Sequence, residues 1–214
     1  VTGAALNPRK SPRQSRARAT VETIIEAAAR ILETVGPEGF NTNAVAARAG
    51  VSVGSLYQYF PSKQALIAEL SRRNAEAVLD GLAEVAAATA GKPLEARLAA
   101  FVRFAIDQQC ARPKLSRVLD QLEEGLDLTT DAAATTPDIL AVLAPVLAAD
   151  APPTDPADVL AIASDCLALV RALIDAALDR GPVDQAGLER NTIGALLGYL
   201  GASLKAPERA AAHV

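Results

Sequence analysis

Between Asn41 and Lys63 the chain reads NTNAVAARAGVSVGSLYQYFPSK, a stretch that gathers groups able to address a polyanion and the edges of bases. Tyr57, Tyr59 and Lys63 fall within seven residues, although the whole chain has three tyrosines. Gly54, Ser55, Tyr57, Gln58 and Tyr59 are small or hydrogen-bonding, a composition for which a buried helix has no use. Hydroxyl and ammonium groups bond phosphate oxygens, and a glutamine amide matches adenine N6 and N7 in a bidentate pair. A glycine among them lets another molecule approach the backbone closely.

Those groups need short helices to present them. Val45, Ala46 and Ala49 make one apolar face, and Gly50 then breaks the pattern. Ser52 can cap a second helix that carries Leu56 and Phe60 inward. This is a helix-turn-helix plan, in which the second helix is offered to the DNA major groove. The spacing A-x-x-A-G-V-S alone fits a plain helical hairpin equally well. Before the pair, Val21, Ile24, Ile25, Ala28, Ile31, Leu32 and Val35 predict a helix over Thr20–Val35, ended by Gly36-Pro37. After it, Pro61-Ser62-Lys63 opens a long helix with Ser62 as N-cap, running through Leu66, Ile67, Leu70 and Leu82 toward Gly91.

Composition sets the frame. Half of the 214 residues are hydrophobic, so a sizeable core can be buried, while aromatics make up only 3%. Alanine and leucine dominate, both strong helix formers, and no segment alternates with a period of two, which predicts an all-α protein. Residues 1–73 carry ten Lys and Arg against five Asp and Glu; the remainder carries eleven against twenty. A basic first third on an acidic remainder suits a nucleic-acid-contacting domain joined to one that avoids nucleic acid. Val1–Ala19 holds Arg9, Lys10, Arg13, Arg16 and Arg18 and no acid, and reads as an irregular basic arm, either a DNA-following tail or a solvated one. It has no apolar stretch of a secretory leader, and no apolar run reaches a membrane span, so a cytoplasmic protein is expected.

The absences bear on catalysis. The one histidine is His213, near the end of the sequence, so a folded Ser-His-Asp or Cys-His pair lacks its base. No HExxH, CxxC, P-loop or GxGxxG is present, and Cys110 and Cys166 have no metal-ligand spacing. No enzyme, metal or cofactor is expected.

Further helices are predicted over Leu94–Cys110, Lys114–Glu124, Pro137–Ala149, Asp158–Asp179 and Asp184–Leu204, with loops over Gly125–Thr136 and Asp150–Pro156. The stretch Asp158–Asp179 is apolar on more than one stripe and needs partners on two sides. In the last helix Gly194, Gly198 and Gly201 each cost roughly 1 kcal/mol relative to alanine, a cost that close approach of another helix would offset.

From about Val21 to Leu70 the string AAARILETVG, Phe40, Thr42, VAARAGVS, G-S-L-Y-x-Y-F and Lys63 resembles the N-terminal domain of the tetracycline-repressor (TetR) family of transcription regulators. The resemblance implies a three-helix DNA-binding domain over residues 20–70, after a flexible arm over 1–19. A helical ligand-binding and dimerisation domain over 71–206 and a tail over 207–214 complete the chain. It places Thr42, Tyr57, Tyr59 and Lys63 on phosphates, with Ser52 opening the reading helix and Val53, Gly54, Ser55 and Gln58 on the groove floor. Tyr59 stands where many relatives have histidine. The last two long helices would pair with their copies as a four-helix bundle. An effector cavity is implied among the helices between Leu94 and Asp179, with Phe101, Phe104, Asp107, Gln108, Leu119, Leu122, Leu143, Cys166 and Arg171 as candidate lining.

The function so implied is a homodimeric repressor released from a palindromic operator in double-stranded DNA by a small apolar ligand. Its alternatives are an activator or co-repressor-dependent regulator, and a helical ligand-binding or assembly protein that does not bind DNA.

Overall fold

The computed structural model describes residues 12–125, 129–149 and 155–203. Among these every regular element is helical: α1 (Pro12–Thr34), α2 (Thr42–Ala49), α3 (Val53–Tyr59), α4 (Lys63–Thr89), α5 (Leu94–Ala111), α6 (Pro113–Gly125), α7 (Thr129–Ala148), α8 (Pro156–Asp179) and α9 (Gln185–Ser203). They form two compact units. The head holds α1, α2, α3, the part of α4 up to Arg72, and α6 from Lys114 on; the body holds the rest of α4 with α5, α7, α8 and α9.

The head is organised by the apolar stripe of α1. Ile24, Ala28, Ile31 and Leu32 are buried with Phe40, Val45 and Ala46 of the second helix and its approach, Leu56 and Phe60 around the third, and Leu66, Ile67 and Leu70 of α4. Burying a side chain of this size stabilises by about 1.5–3 kcal/mol, so the short α2 and α3 owe their order to this shared core rather than to their own length. Gly50 ends α2 in the left-handed region, φ 68°, and its N–H reaches back to the carbonyls of Ala46 and Ala47.

In the body, Leu98, Val102 and Ile106 of α5, Cys166 and Ile174 of α8, and Leu188, Leu196 and Leu200 of α9 form one core. Leu82 of α4, Phe101 of α5 and Ile139 of α7 form a second, edged by aliphatic side chains. Asp155 caps α8, accepting from the Ala157 N–H at 2.8 Å, with Pro156 in the first turn where its missing donor costs nothing.

Three expectations are corrected. Residues 12–19 are not irregular but extend α1 by two turns, while 1–11 and the tail from 204 on lie outside the described residues. Residues 129–136, expected as loop, are the first turns of α7. The run Ala132–Ala134 favours helix, and Pro137, read as a helix start, sits inside the element. The expected loop residues 126–128 and 150–154 are likewise outside the described set. Helix α6, left in the body by the sequence reading, packs into the head core through Leu115 and Leu119.

Candidate nucleic-acid interface

α3 is amphipathic on the scale of two turns. Leu56 is fully buried and Phe60 nearly so, which turns the opposite side of the helix outward. There Val53, Tyr57 and Tyr59 are exposed at 38, 49 and 37% of their surface, unusually open for large apolar side chains. Ser52, Gly54 and Gln58 are exposed beside them and Ser55 half-exposed. The structure thus brings eight of the candidate contacts, Ser52 to Tyr59 with Thr42, onto or next to one face.

Its geometry is set by local hydrogen bonds. Ser52 Oγ caps α3, accepting from the Ser55 N–H at 3.0 Å, and lies 2.8 Å from Ser55 Oγ. Asn41 caps α2, accepting from the Ala44 N–H at 2.9 Å. This leaves Thr42 free to meet Tyr57: their hydroxyls are hydrogen-bonded at 3.1 Å across the helix pair. A β-carbon built on Gly54 would find only Ser52 Oγ, 4.0 Å away, so nothing among the described residues requires glycine there.

Lys63, expected on a phosphate, opens α4. It is half-buried, donates to the Pro37 carbonyl at 3.3 Å and lies 5.5 Å from the centroid of the Phe40 ring. The spacing of residues carried no sign of this contact, since the partners are 26 positions apart.

The nine candidates for effector lining do not converge. Leu119 is buried in the head core and Leu122 packs against it, because α6 belongs there. Asp107, Gln108 and Arg171 are exposed. Phe101, Phe104 and Leu143 share the aliphatic second core of the body, and Cys166 is buried in the first, which Leu143 also edges. The Phe104 ring lies so close to Gly81 of α4 that a β-carbon there would stand 2.3 Å from it. Burial pushes the Cys166 thiol up to about 11, with the charge of Asp165 adding to it. Beside it the Tyr199 hydroxyl of α9 donates to Asp165 of α8, which raises the tyrosine pKa.

Elsewhere on the head an open groove of about 430 Å³ lies along α1 and is lined by Glu22, Thr23, Glu26, Ala27, Arg30 and Arg48. Arg30 Nε bonds Glu26 Oε1 at 2.8 Å, so the groove is a solvated charged surface. Among the described residues no group of His, Cys, Asp and Glu could hold a metal ion, and no helix is long and apolar enough to cross a membrane.

Among the described residues no helix approaches Gly194, Gly198 or Gly201. Each glycine is exposed, and a β-carbon on any of them would meet nothing within 4 Å.

Solved structures share this fold. A TetR-family regulator from Streptomyces coelicolor is 22% identical, with a TM-score of 0.65 over 86% of this chain and 99% of the other. A transcriptional regulator of the same family from Mesorhizobium loti gives 20% and 0.71 over 87 and 98%. The regulator FadR from Bacillus subtilis, solved in complex with stearoyl-CoA, gives 17% and 0.70 over 84 and 98%. No curated protein matches at the level of sequence. The family model for bacterial regulatory proteins of the tetR family matches residues 24–70, which hold α2, α3 and the exposed row. The tetracyclin repressor-like C-terminal domain matches residues 93–200, half of the chain by itself. With one model on the head and the other on the body, the chain belongs to the TetR family of DNA-binding transcription regulators.

Proposed function

We propose that this regulator is a homodimeric repressor that holds a palindromic operator and leaves it when a largely apolar ligand occupies the body. The observation that carries the reading is the outward row of α3 set over the buried Leu56 and Phe60. In this reading Val53, Gly54, Ser55 and Gln58 meet the groove floor, Gln58 taking adenine and Val53 a thymine methyl. Thr42, Tyr57 and Tyr59 meet phosphates, which fix register without reading sequence.

Two further observations support the finer points. The glycines of α9 leave a bare strip that none of the described residues covers, as a helix awaiting its two-fold copy would. The second body core is built of leucine, valine, isoleucine, alanine and phenylalanine side chains, a composition compatible with an acyl chain or similar apolar group. FadR of Bacillus subtilis, similar in fold, is solved with stearoyl-CoA. Such a ligand shifts the protein only by binding one body conformation better than the other.

The test is to crosslink the protein in cells and sequence the DNA recovered with it. An inverted repeat shared by the fragments is expected. Its release is then measured with fatty acids and their CoA thioesters of increasing length. Fragments without a common sequence contradict operator recognition, and tighter binding with ligand contradicts the inducer mode.

A further inference from the structure

Gly81 stands inside α4, where glycine is a poor helix former. Its backbone is not in the left-handed region, so the chain itself gives no reason for glycine there. The reason is Phe104 of α5. A β-carbon on Gly81 would stand 2.3 Å from Cε2 and 2.4 Å from Cζ of that ring, so the ring rests on bare backbone. Phe101, one turn earlier on α5, is buried in the second body core, whereas Phe104 is half-buried at its edge. Val78 and Leu79 of α4 and Val142 and Leu143 of α7, packed against the same core, are half-buried too. A ring wedged between side chains leaves only when they move with it. At position 81 there is no side chain to hold the ring, so rotation about its own Cα–Cβ bond carries it off the helix.

We propose that Phe104 is the gate of the effector site. With its ring seated on Gly81 the second body core is closed; with the ring turned away, the apolar part of a ligand enters between α4, α5 and α7. Closure needs glycine at position 81, which accounts for a poor helix former there. The gate also sets the apparent affinity, because a ligand that binds only the open form is weakened by the fraction of molecules that are closed. The inference rests on the reading of the second body core as the effector site.

Gly81→Ala separates a gate from plain packing. Its β-carbon takes the place of the ring, and the ring, as the far end of a flexible side chain, gives way. The probe is N-phenyl-1-naphthylamine, a neutral apolar dye that brightens out of water, titrated into the full chain without DNA and mixed with it by stopped flow. A minor open state holds about 10% of the molecules or fewer, so the gate predicts that Gly81→Ala binds the dye at least about tenfold more tightly, through faster association. In a Phe104→Ala background, which has no ring to displace, the same substitution should change neither quantity. Unchanged or weaker binding in Gly81→Ala leaves Phe104 as packing and overturns the proposal, as does an effect of Gly81→Ala that persists without the ring. Should Gly81→Ala fail to fold, Phe104→Leu, which removes the ring and keeps an apolar side chain, must take up the dye faster than the unsubstituted protein; equal rates overturn the gate. Failure of the effector reading itself looks different: neither the unsubstituted protein nor any variant takes up dye, and the gate falls with it.

Discussion

Gly54→Ala separates what the fold needs from what DNA needs. The added methyl would have Ser52 Oγ as its nearest neighbour, 4.0 Å away, which is ordinary contact or none. Alanine in a helix interior is favoured over glycine by up to about 1 kcal/mol, and less in the first turn, where position 54 lies. The free protein should therefore melt at the same temperature or up to roughly 2–4 °C higher. On DNA the methyl points into the space proposed for the groove floor. Forcing one extra carbon into a filled interface costs about 1–3 kcal/mol, which is roughly a 5- to 150-fold loss for each half-site. Thermal denaturation and fluorescence anisotropy on an operator duplex measure the two effects. A variant that melts normally and binds operator as the original does would show that DNA stays away from Gly54. A variant that melts lower would contradict the open geometry at that position.

Gln58→Ala should relax preference at a single base pair, costing about 1–3 kcal/mol there while leaving random DNA unaffected; equal loss on both, by competition assay, removes the base-reading role. Gly198→Leu should leave the protomer folded, since a β-carbon there would meet no other element among the described residues within 4 Å, yet dissociate the dimer in light scattering. An undisturbed dimer would move the interface elsewhere. The Cys166 thiol, raised from 9.0 to about 11 in the folded state, keeps its proton where the unfolded chain loses it. Its contribution is complete below about pH 9 and is lost as pH rises toward 11, so denaturation midpoints should fall across that window and fall less in Cys166→Ala. Parallel pH profiles would refute it.

The reading helix was legible because its signals are local. Gly50 as a stop, Ser52 as a cap and the inward pair Leu56 and Phe60 are all decided within one or two turns, and each stands where the spacing puts it. Partners across the fold are a different matter. The stripe Leu115, Val118, Leu119 and Leu122 marks a helix with one buried face, but periodicity does not say which core that face joins. For that reason two of its leucines were assigned to an effector cavity and stand in the head. The Lys63–Pro37 contact depends on a chain reversal that no spacing encodes. At residues 12–19 Arg13, Ser15, Arg16 and Arg18 suggested an arm, while a helix already nucleated by the α1 stripe carries on through them at little cost.

The central claim is two-fold, sequence-specific DNA recognition through α3, and selection from a random duplex pool followed by the mass of the complex tests it most directly. The account predicts enrichment of an inverted repeat bound by two protomers, with the enrichment lost in a Gln58→Ala, Gly54→Ala double variant. A pool that stays random, or an enriched site that the double variant still selects, would contradict it.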